Sequence, residues 1–473
     1  MKELLNHEVF RLFEQISAIP RESGNEKAIS NWIKSWCEKR CLPVNQDDIF
    51  NLTVTKPASP GYESHSPLLL QAHIDMVCEK ANDSTHDFTR DPITFKVEGD
   101  WLSSATGTTL GADNGIGVAC AMAILDNNEL EHPPIEVAFT VQEETTFDGA
   151  ESIDVSGLKS RRMINLDHAN ERELIVGSCG GVGVEMTMPL DRSEEIPEDC
   201  KAFRVFLTGL RGGHSGEDIH RGRGNAIQML VRVLEDLSLP VVRITGGTNR
   251  LAIPREAEAV VLTGDEDLLR KGLESLEETY RKEFGDSAPD LRLGYEETEP
   301  DTPMTGESFS AIAAIMRLHP NGIMRMNENF NCVESSNNIG IISTEGDRLK
   351  LVSEIRGGHQ STVDDITRTI ELVAALFGAK VSFFDRYVPW EFSASSELRE
   401  LAVKVYKEHF DEDMRQLAVH AGLECGFFAN KIPGMDIISI GPDCENFHSP
   451  QERVSISSTK RFYQFLTGLL SKL

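Results

Sequence analysis

The chain has 473 residues, and its 47 lysine and arginine residues stand against 76 aspartate and glutamate residues, which gives a formal net charge of −29 at pH 7. Nucleic acids and anionic membranes are polyanions that proteins bind through clustered lysine and arginine, so this charge argues against both as partners. With 40% hydrophobic and 26% charged residues, the composition is that of a folded globular protein, and the length favours about two to three domains.

No segment of the sequence has the pattern of a membrane span or of a secretory signal. The longest apolar runs, such as 118–125, are far shorter than the ~20 residues that cross a bilayer, and the N-terminal residues include acids and a histidine. The cysteines are scattered and form no Cys-x-x-Cys pair, unlike a disulfide framework or a structural zinc site. We therefore expect a cytoplasmic protein with reduced thiols.

Helical and strand-like patterns alternate over the first part of the chain. The predicted elements are helices over 8–19, 25–38 and 115–125 and strands over 68–70, 135–141 and 163–166. Pro20 follows the first helix and stops it. This alternation is typical of an α/β domain with a mostly parallel central sheet.

A polar, acidic stretch at 191–199 marks the expected start of a second domain. The predicted elements beyond it are strands at 203–209, 241–245, 257–263, 339–343, 348–355 and 379–385 and helices at 225–237, 267–284, 308–318 and 362–377. Their order favours an inserted α+β domain with mainly antiparallel strands. A helix at 395–409, a strand at 435–441 and a final helix at 457–470 are expected to rejoin the first sheet. The predicted boundaries are 1–188 and 393–473 for the first domain and 189–392 for the insert.

Several predicted strands run directly into side chains that can bind a metal ion. These side chains are His73 and Asp75, Glu143 and Glu144, Asp167, a late His448 and, in a glycine-rich loop before a helix, Asp113. Strand ends in an open α/β sheet meet at one edge, where ligands bind. Imidazole nitrogen and carboxylate oxygen suit zinc or a similar divalent ion, and their number exceeds what one tetrahedral centre takes. The set therefore indicates a two-metal site of the kind that activates water for hydrolysis.

The order of these motifs resembles one enzyme family. His73-Ile74-Asp75, Gly111-Ala112-Asp113-Asn114-Gly115, Glu143-Glu144, Asp167 and His448 occur as in the two-zinc exopeptidases, which include carboxypeptidase G, peptidase V, peptidase T and the aminoacylases. Longer segments, at 71–73, 82–88, 107–117, 212–216, 253–257 and 420–426, are similar to the aminoacyl-histidine dipeptidases of that family. The resemblance spans the whole chain and implies a zinc-exopeptidase-like catalytic domain with an inserted lid or dimerisation domain.

The resemblance also implies a role for each side chain of the metal site. The metal ligands would be Asp113 as a bridge, His73 and Asp167 on one ion, and Glu144 and His448 on the other. Zinc is the expected metal, with manganese and cobalt as alternatives. Glu143 would act as general base toward a water that bridges the metals, and Asp75 would hold the tautomer of His73. The family also implies a cis peptide bond between Asp113 and Asn114.

In the inserted domain the resemblance implies contacts with the substrate. His214 would stabilise the oxyanion formed at the scissile carbonyl, and Arg356 would bind the free carboxylate of the substrate through its forked guanidinium. The family has asparagine two residues before Ile-Pro, where this chain has Leu251, so either Asn249 supplies that contact or the contact is missing. His420, which lies beyond the predicted insert, is expected to line the substrate pocket, with a structural role as the alternative.

These features predict a cytoplasmic, metal-dependent dipeptidase. Its substrates would be short unblocked peptides, with Xaa-His dipeptides including β-alanyl-histidine as the expected class, and a homodimer is the expected assembly. Two alternatives stay open. The same fold could deacylate N-acylated amino acids, or the chain could bind without turnover, although every expected catalytic position is filled.

Overall fold

Residues 3–473 of the chain are described by a computed structural model. Its tertiary contacts divide them into two units. The first unit holds the residues up to Ser178 together with Phe392–Ala418 and Leu423–Leu473, and the second holds Cys179–Glu391 and Val419–Gly422. No helix among the described residues is long and apolar enough to cross a membrane.

All six elements predicted for the first part of the chain are present. The helices are the 3-10 helix Leu4–Asn6, α1 (Glu8–Ser17), α2 (Lys27–Glu38), α3 (Ala112–Asp126) and α4 (Asp148–Ser152). The strands are β1 (Val44–Gln46), β2 (Leu52–Lys56), β3 (Leu68–His73), β4 (Phe95–Glu98), β5 (Trp101–Ser104), β6 (Ile135–Thr140), β7 (Arg162–Asn165) and β8 (Glu173–Ser178). Helix α3 is buried along almost its whole length, because it packs against both α1 and β3.

The second unit contains the ten predicted elements and several strands that the sequence pattern did not indicate. Its strands are β9 (Gly180–Pro189), β10 (Lys201–Thr208), β11 (Gly213–His214), β12 (Val241–Gly246), β13 (Ala252–Ile253), β14 (Ala257–Thr263), β15 (Arg292–Thr298), β16 (Gly322–Asn327), β17 (Cys332–Glu345), β18 (Arg348–Gly357) and β19 (Lys380–Tyr387). Its helices are α5 (Ala226–Leu237), α6 (Glu266–Phe284), α7 (Gly306–Leu318) and α8 (Gln360–Leu376), with 3-10 turns at Ile219–Arg221 and Gly285–Ser287.

The remaining elements belong to the first unit, apart from Val419 at the end of one strand, which belongs to the second. They are α9 (Glu397–Phe410), β20 (Arg415–Val419), α10 (Cys425–Lys431), β21 (Asp436–Ser439), β22 (Cys444–Glu445), β23 (Arg453–Ser455) and α11 (Ile456–Leu470). Strand β21 joins the sheet formed by the first part of the chain, which confirms the expected return.

The main sheet of the first unit is mixed, with parallel strands in its middle. Its strand order is β1-β2-β6-β3-β7-β21-β8-β20. The strands β6, β3, β7 and β21 are parallel to one another, whereas β1, β2 and β8 pair antiparallel with their neighbours. Every residue of β3 and β6 is buried, as expected for strands covered on both faces. The predicted parallel centre is confirmed.

The second unit is built on an antiparallel sheet of nine strands. Eight follow the order β15-β10-β14-β12-β17-β18-β9-β19, and β16 pairs with β17. Helices α5, α7 and α8 and part of α6 pack apolar side chains into its core. Strand β17 is 14 residues long, so the strand predicted at 339–343 is only its second half.

Strand β9 places residues before 189 in this second sheet. It pairs with β18 over its whole length and with β19 at 181 and 183–187, and its glycines allow close packing. A Cβ atom on Gly180 would lie 2.5 Å from Pro389, and one on Gly183 would lie 2.7 Å from the ring of Phe384. The glycines that weaken a strand pattern in the sequence are therefore what permits this strand.

Buried His319 should make the stability of the protein fall in mild acid. It is 3% exposed, and burial lowers the pKa of its imidazole from 6.5 to about 4. Between these values the unfolded chain binds a proton that the folded chain excludes, so the free energy of unfolding falls as the pH falls from 6.5 toward 4. Urea unfolding series across that pH range would measure this decrease. We expect the decrease in the free energy of unfolding to be about 1–3 kcal/mol smaller in His319→Gln than in wild type.

The matched control is His220→Gln, at an exposed histidine of the same unit. This control should follow the wild-type pH dependence. Equal acid sensitivity of His319→Gln and wild type would contradict the assignment.

Candidate active site

The predicted metal-binding side chains of the first unit come together at one edge of its main sheet. His73 ends β3, Glu143 and Glu144 follow β6, Asp167 follows β7, Asp113 lies in the first turn of α3, and His448 lies between β22 and β23. The strands β3, β6 and β7 are adjacent and parallel, so their carboxyl ends deliver these side chains to the same place.

His73, Asp113 and Asp167 form one half of this cluster. Nε2 of His73 lies 3.1 Å from Oδ1 of Asp113 and 3.3 Å from Oδ1 of Asp167. His73 is completely buried. One nitrogen and two carboxylate oxygens therefore face a common point.

Asp113, Glu144 and His448 form the other half. Nε2 of His448 lies 2.9 Å from Oε2 of Glu144 and 3.5 Å from Oδ2 of Asp113. Asp113 thus directs one carboxylate oxygen toward each histidine. Within each half, ligand atoms lie within 4.8 Å of one another, which is close enough for shared coordination of a metal ion.

Glu143 stands beside these two groups. Its Oε2 is 4.0 Å from Nε2 of His73, farther than the oxygens of Asp113 and Asp167. The carboxyl group is mostly enclosed, with 12% of the side chain exposed. Glu143 can therefore reach the space next to the ligand atoms, although its carboxylate is not the one nearest to His73.

The electrostatics of the cluster fit divalent cations. Among the described residues, the ion-pair partners of these four carboxylates are the two imidazoles, with no lysine or arginine. Burial and neighbouring negative charges raise the pKa of Asp167 to about 8 and raise the pKa of Glu143 well above its ordinary value. Burial disfavours protonated His73, but the surrounding carboxylates outweigh burial and raise its pKa. A donor set with this excess of negative charge fits metal ions.

Asp75 joins His73 to the turn that carries the glutamates. Its Oδ1 lies 3.3 Å from Nδ1 of His73, on the side of the ring away from the cluster. The same carboxylate accepts the backbone N–H groups of Glu143 and Glu144, each at 3.2 Å, and the hydroxyl of Ser23 at 2.7 Å. Asp75 is completely buried; it holds the turn through hydrogen bonds and places a negative charge beside the imidazole.

Glu452 holds the loop in front of Asp113 and was not indicated by the sequence. Its two oxygens accept four consecutive backbone N–H groups, those of Leu110, Gly111, Ala112 and Asp113, at 2.6, 2.9, 2.8 and 3.3 Å. Glu452 is 2% exposed. The carboxylate therefore takes the place of a helix cap at the start of α3. The peptide bond between Asp113 and Asn114 is cis, as the family resemblance implies.

Arg21 is a second buried support that the sequence did not indicate. Its guanidinium donates to the carbonyl oxygens of Ile74 and Asp75, at 3.2 and 2.8 Å, and to that of Gly111. Gly111 has a φ of +68°, and a Cβ atom there would meet Arg21 and lie 2.7 Å from the sulfur of Met76. The glycine is therefore required both by the turn and by the arginine.

His168, which directly follows Asp167 and is also able to bind metal, lies elsewhere. Its Nε2 is 3.0 Å from Oε2 of Glu173. Adjacent side chains in an extended segment point in opposite directions, which separates His168 from the cluster that Asp167 joins.

Three of the residues predicted to contact substrate lie together in the second unit. All three lie around Gly216. A Cβ atom added to this glycine would lie 3.2 Å from Cε1 of His214 and 3.4 Å from Cζ of Arg356, and it would clash with the carbonyl oxygen of His420. His214 is in β11, which pairs with β13 so that Ala252 lies opposite it. The structure thus brings His214, Arg356 and His420 to one place.

Arg356 is a buried cation without a counter-ion. It is 4% exposed, and among the described residues no carboxylate lies within ion-pair distance of its guanidinium. Its Nε has no hydrogen-bond acceptor, and its guanidinium is 6.0 Å from the centre of the Tyr387 ring. The nearby carboxylate of Glu354 is occupied by Arg250, at 2.8 Å, and by the hydroxyl of Tyr387, at 3.1 Å. A buried guanidinium with no carboxylate at ion-pair distance is suited to an anionic ligand.

His420 and Asn249 differ in their surroundings. Nε2 of His420 lies 2.7 Å from the hydroxyl of Ser336, and burial, with the positive charge of Arg356, lowers the pKa of His420 to about 3. Asn249 is exposed, and its side-chain oxygen accepts the N–H of Leu251 at 2.9 Å. The asparagine therefore closes a local turn before β13, and its predicted contact with substrate stays a prediction.

The contacts of Glu452 should be essential for the metal centre. Glu452→Gln replaces one acceptor oxygen by an amide group that faces backbone N–H donors. We expect the free energy of unfolding to fall by about 2–4 kcal/mol and zinc affinity to fall at least about tenfold, because Asp113 loses its fixed backbone. Urea unfolding and calorimetric zinc titration would measure both.

Glu445→Gln is the control for Glu452→Gln. Glu445 lies in β22 and pairs with Arg453 at the surface, so its loss should change the free energy of unfolding by less than about 1 kcal/mol. Wild-type stability and zinc affinity in Glu452→Gln would contradict the proposed support.

Comparisons with known proteins agree with this site. Residues 69–472 match the model of "Peptidase family M20/M25/M40". The chain is 35% identical over 481 residues to the cytosol non-specific dipeptidase of Escherichia coli K12, covering 100% of this chain and 99% of the relative.

Solved structures give the same result. The crystal structure of aminoacylhistidine dipeptidase from Vibrio alginolyticus is similar with a TM-score of 0.87 and 36% identity, covering 98% of this chain and 96% of that one. Aminopeptidase PepT from Bacillus cereus has a TM-score of 0.57 at 14% identity, covers 98% of each chain and shares the fold. The family resemblance found in the sequence is therefore confirmed: the chain belongs to peptidase family M20/M25/M40.

Proposed function

We propose that this peptidase is a metal-dependent dipeptidase that hydrolyses short, unblocked peptides in the cytoplasm. The observation that carries the proposal is the cluster in which Asp113 directs one carboxylate oxygen toward His73 and the other toward His448. The names of two full-length relatives, a cytosol non-specific dipeptidase and an aminoacylhistidine dipeptidase, support dipeptides as the substrate class. Xaa-His dipeptides, including β-alanyl-histidine, are the proposed preferred substrates.

The cluster would hold two divalent ions, and zinc is the proposed metal. The ligands would be Asp113 as a bridge, His73 and Asp167 on one side, and Glu144 and His448 on the other. When bound, such ions supply Lewis acidity toward a carbonyl oxygen and lower the pKa of a coordinated water. Asp75 and Glu452 keep these side chains in place before any ion binds.

Glu143 is the proposed general base. Its carboxyl group lies beside the ligand atoms, and its backbone N–H is held by Asp75. From there it can accept a proton from the attacking water and return the proton to the leaving amine. This role requires a carboxyl group that is close to the reacting atoms and free to exchange a proton.

The second unit would recognise the substrate. Arg356 offers a buried guanidinium without a counter-ion to the free carboxylate of the peptide. His214 would donate a hydrogen bond to the oxyanion, and His420 would contribute to the same pocket. These roles follow the family resemblance and make the second unit a lid or dimerisation domain, with a homodimer as the proposed assembly.

Replacing Glu143 should separate catalysis from metal binding. Glu143→Gln keeps the size of the side chain and removes the base, so we expect kcat for β-alanyl-histidine and Gly-His to fall at least about 10³-fold. Zinc stoichiometry should stay at the wild-type value, because the ligands remain. Steady-state assays with zinc-loaded enzyme and metal analysis would test this.

The same assays should include Leu-Gly, a tripeptide and N-acetyl amino acids, with zinc, manganese and cobalt compared. Glu129→Gln, at an exposed glutamate, serves as control and should retain wild-type kcat. Hydrolysis of N-acetyl amino acids alone would replace the dipeptidase assignment by a deacylase. Metal binding without turnover of any substrate would contradict both.

Replacing Arg356 should weaken binding of the substrate carboxylate. Arg356→Met keeps a long side chain without charge, and we expect KM for dipeptides to rise by about 10–100-fold with a smaller change in kcat. Dipeptide amides, which lack the carboxylate, should be hydrolysed equally by the variant and the wild type. Arg255→Met, at an exposed arginine of the same unit, is the control. A wild-type KM in Arg356→Met would refute this role.

A further inference from the structure

We infer that Glu424 is a positioning residue for the metal centre, because its carboxyl group is the final acceptor of a buried hydrogen-bond chain that fixes the strands carrying His73 and Asp167. This inference rests on the proposed metal-dependent function. It assigns a role to a residue that is neither one of the proposed ligands nor the proposed base.

The chain of hydrogen bonds crosses the middle of the main sheet of the first unit. The hydroxyl of Ser439 in β21 donates to Oδ1 of Asn165 in β7 at 2.5 Å, and Nδ2 of Asn165 donates to Oε1 of Gln71 in β3 at 2.5 Å. Nε2 of Gln71 donates to Oε2 of Glu424. The hydroxyl of Thr140, at the end of β6, donates to the same oxygen at 2.7 Å. Four neighbouring strands are thereby linked.

All these bonds run in one direction. Each amide uses its nitrogen toward Glu424 and its oxygen toward Ser439, so one acceptor at the end sets the orientation of both amides. Without an acceptor oxygen at position 424, Nε2 of Gln71 would keep only its bond to the hydroxyl of Thr140, at 3.1 Å, and that hydroxyl would keep only the carbonyl oxygen of Ala72, at 3.5 Å. Such loss is costly inside a closed core.

The chain lies directly beneath the proposed ligands. Gln71 is two residues before His73, and Asn165 is two residues before Asp167, so each pair of side chains points to the same face of the sheet. In the sheet register Gln71 lies opposite Asn165, and His73 lies opposite Thr140. The side-chain hydrogen bonds of Gln71 and Asn165 therefore reinforce the backbone pairing of the strand ends from which His73 and Asp167 reach the metal.

Glu424 acts here as an acceptor and has no cation partner. It is 0% exposed, its hydrogen-bond donors are the neutral groups of Gln71 and Thr140, and Oε1 has no hydrogen-bond partner. Among the described residues no lysine, arginine or histidine forms an ion pair with it. Burial raises the pKa of Glu424 to about 7, in agreement with a site that favours a neutral acceptor. We therefore expect glutamine to replace glutamate at this position.

Cobalt titration of the metal-free full-length chain tests the inference, with calorimetry and the visible absorption of bound Co²⁺ as readouts. Wild type should bind two ions per chain. Glu424→Leu removes the acceptor, so the affinity for one of the two ions should fall at least about tenfold and the absorption spectrum should change. The affinity for the other ion should stay within about threefold of wild type. Glu424→Gln keeps an acceptor oxygen and should bind both ions within about threefold of wild type.

Glu136→Leu is the matched control for lost stability. Glu136 is also a buried glutamate that accepts neutral donors, from Lys159 and Ser160, and it lies in β6 at the end away from the metal centre. This variant should bind both ions as wild type does. If Glu136→Leu loses an ion to the same extent as Glu424→Leu, metal loss follows general destabilisation and the inference is overturned.

Further outcomes keep the two proposals separate. Wild-type affinity for both ions in folded Glu424→Leu would overturn the inference, and so would loss of an ion in Glu424→Gln. If Glu424→Leu does not fold, Gln71→Met decides, because it breaks the chain but keeps the carboxyl group; it should lose the same ion, and two wild-type affinities would overturn the inference. Failure of wild type to bind two ions would instead refute the proposed function.

Discussion

The structure of the metal centre depends on a collection of negative charges that the protein alone does not neutralise. Four carboxylates meet at the carboxyl edge of a parallel sheet, and two imidazoles are their ion-pair partners among the described residues. Their mutual repulsion must be resisted by the rest of the fold until cations bind. Asp75, Arg21 and Glu452 provide that resistance, because each is buried and each binds backbone groups of the segments that carry the ligands. A site organised in this way loses little conformational freedom when it takes up metal.

The second unit presents the opposite imbalance. Arg356 is buried without a carboxylate partner, although Glu354 lies two positions away in the same strand. Arg250 and Tyr387 donate hydrogen bonds to the carboxylate of that glutamate, so the glutamate forms no ion pair with Arg356. The guanidinium of Arg356 is therefore available to an anionic ligand. Each unit therefore contains fixed charged groups that a ligand of opposite charge would neutralise. Preorganised groups of this kind stabilise charge in a substrate without the reorganisation that water would need.

The parts of the fold and site that could be predicted depend on local patterns. His73, Glu143 and Asp167 could be predicted because each follows an apolar strand and parallel strands share an edge. Glu452 could not, because one glutamate in a chain with 76 acidic residues carries no local signal and acts on a loop some 340 positions earlier in the sequence. The hydrogen bonds of Gln71 and Asn165 could not be predicted for the same reason, because their partners depend on the register of the sheet. Strand β9 was missed because its glycines, which permit close packing, weaken a strand pattern in the sequence.

The position of β21 in the main sheet has a consequence for synthesis of the chain. This strand lies between β7 and β8, yet it is made about 260 residues after β8. At roughly 5–20 residues per second, a ribosome needs on the order of 13–50 s to cover that distance. During this interval the edges of β7 and β8 lack their final partner, and His448 and Glu452 do not yet exist. A nascent chain therefore cannot complete its metal centre, and its exposed strand edges stay open to pairing with other chains until the last segment emerges.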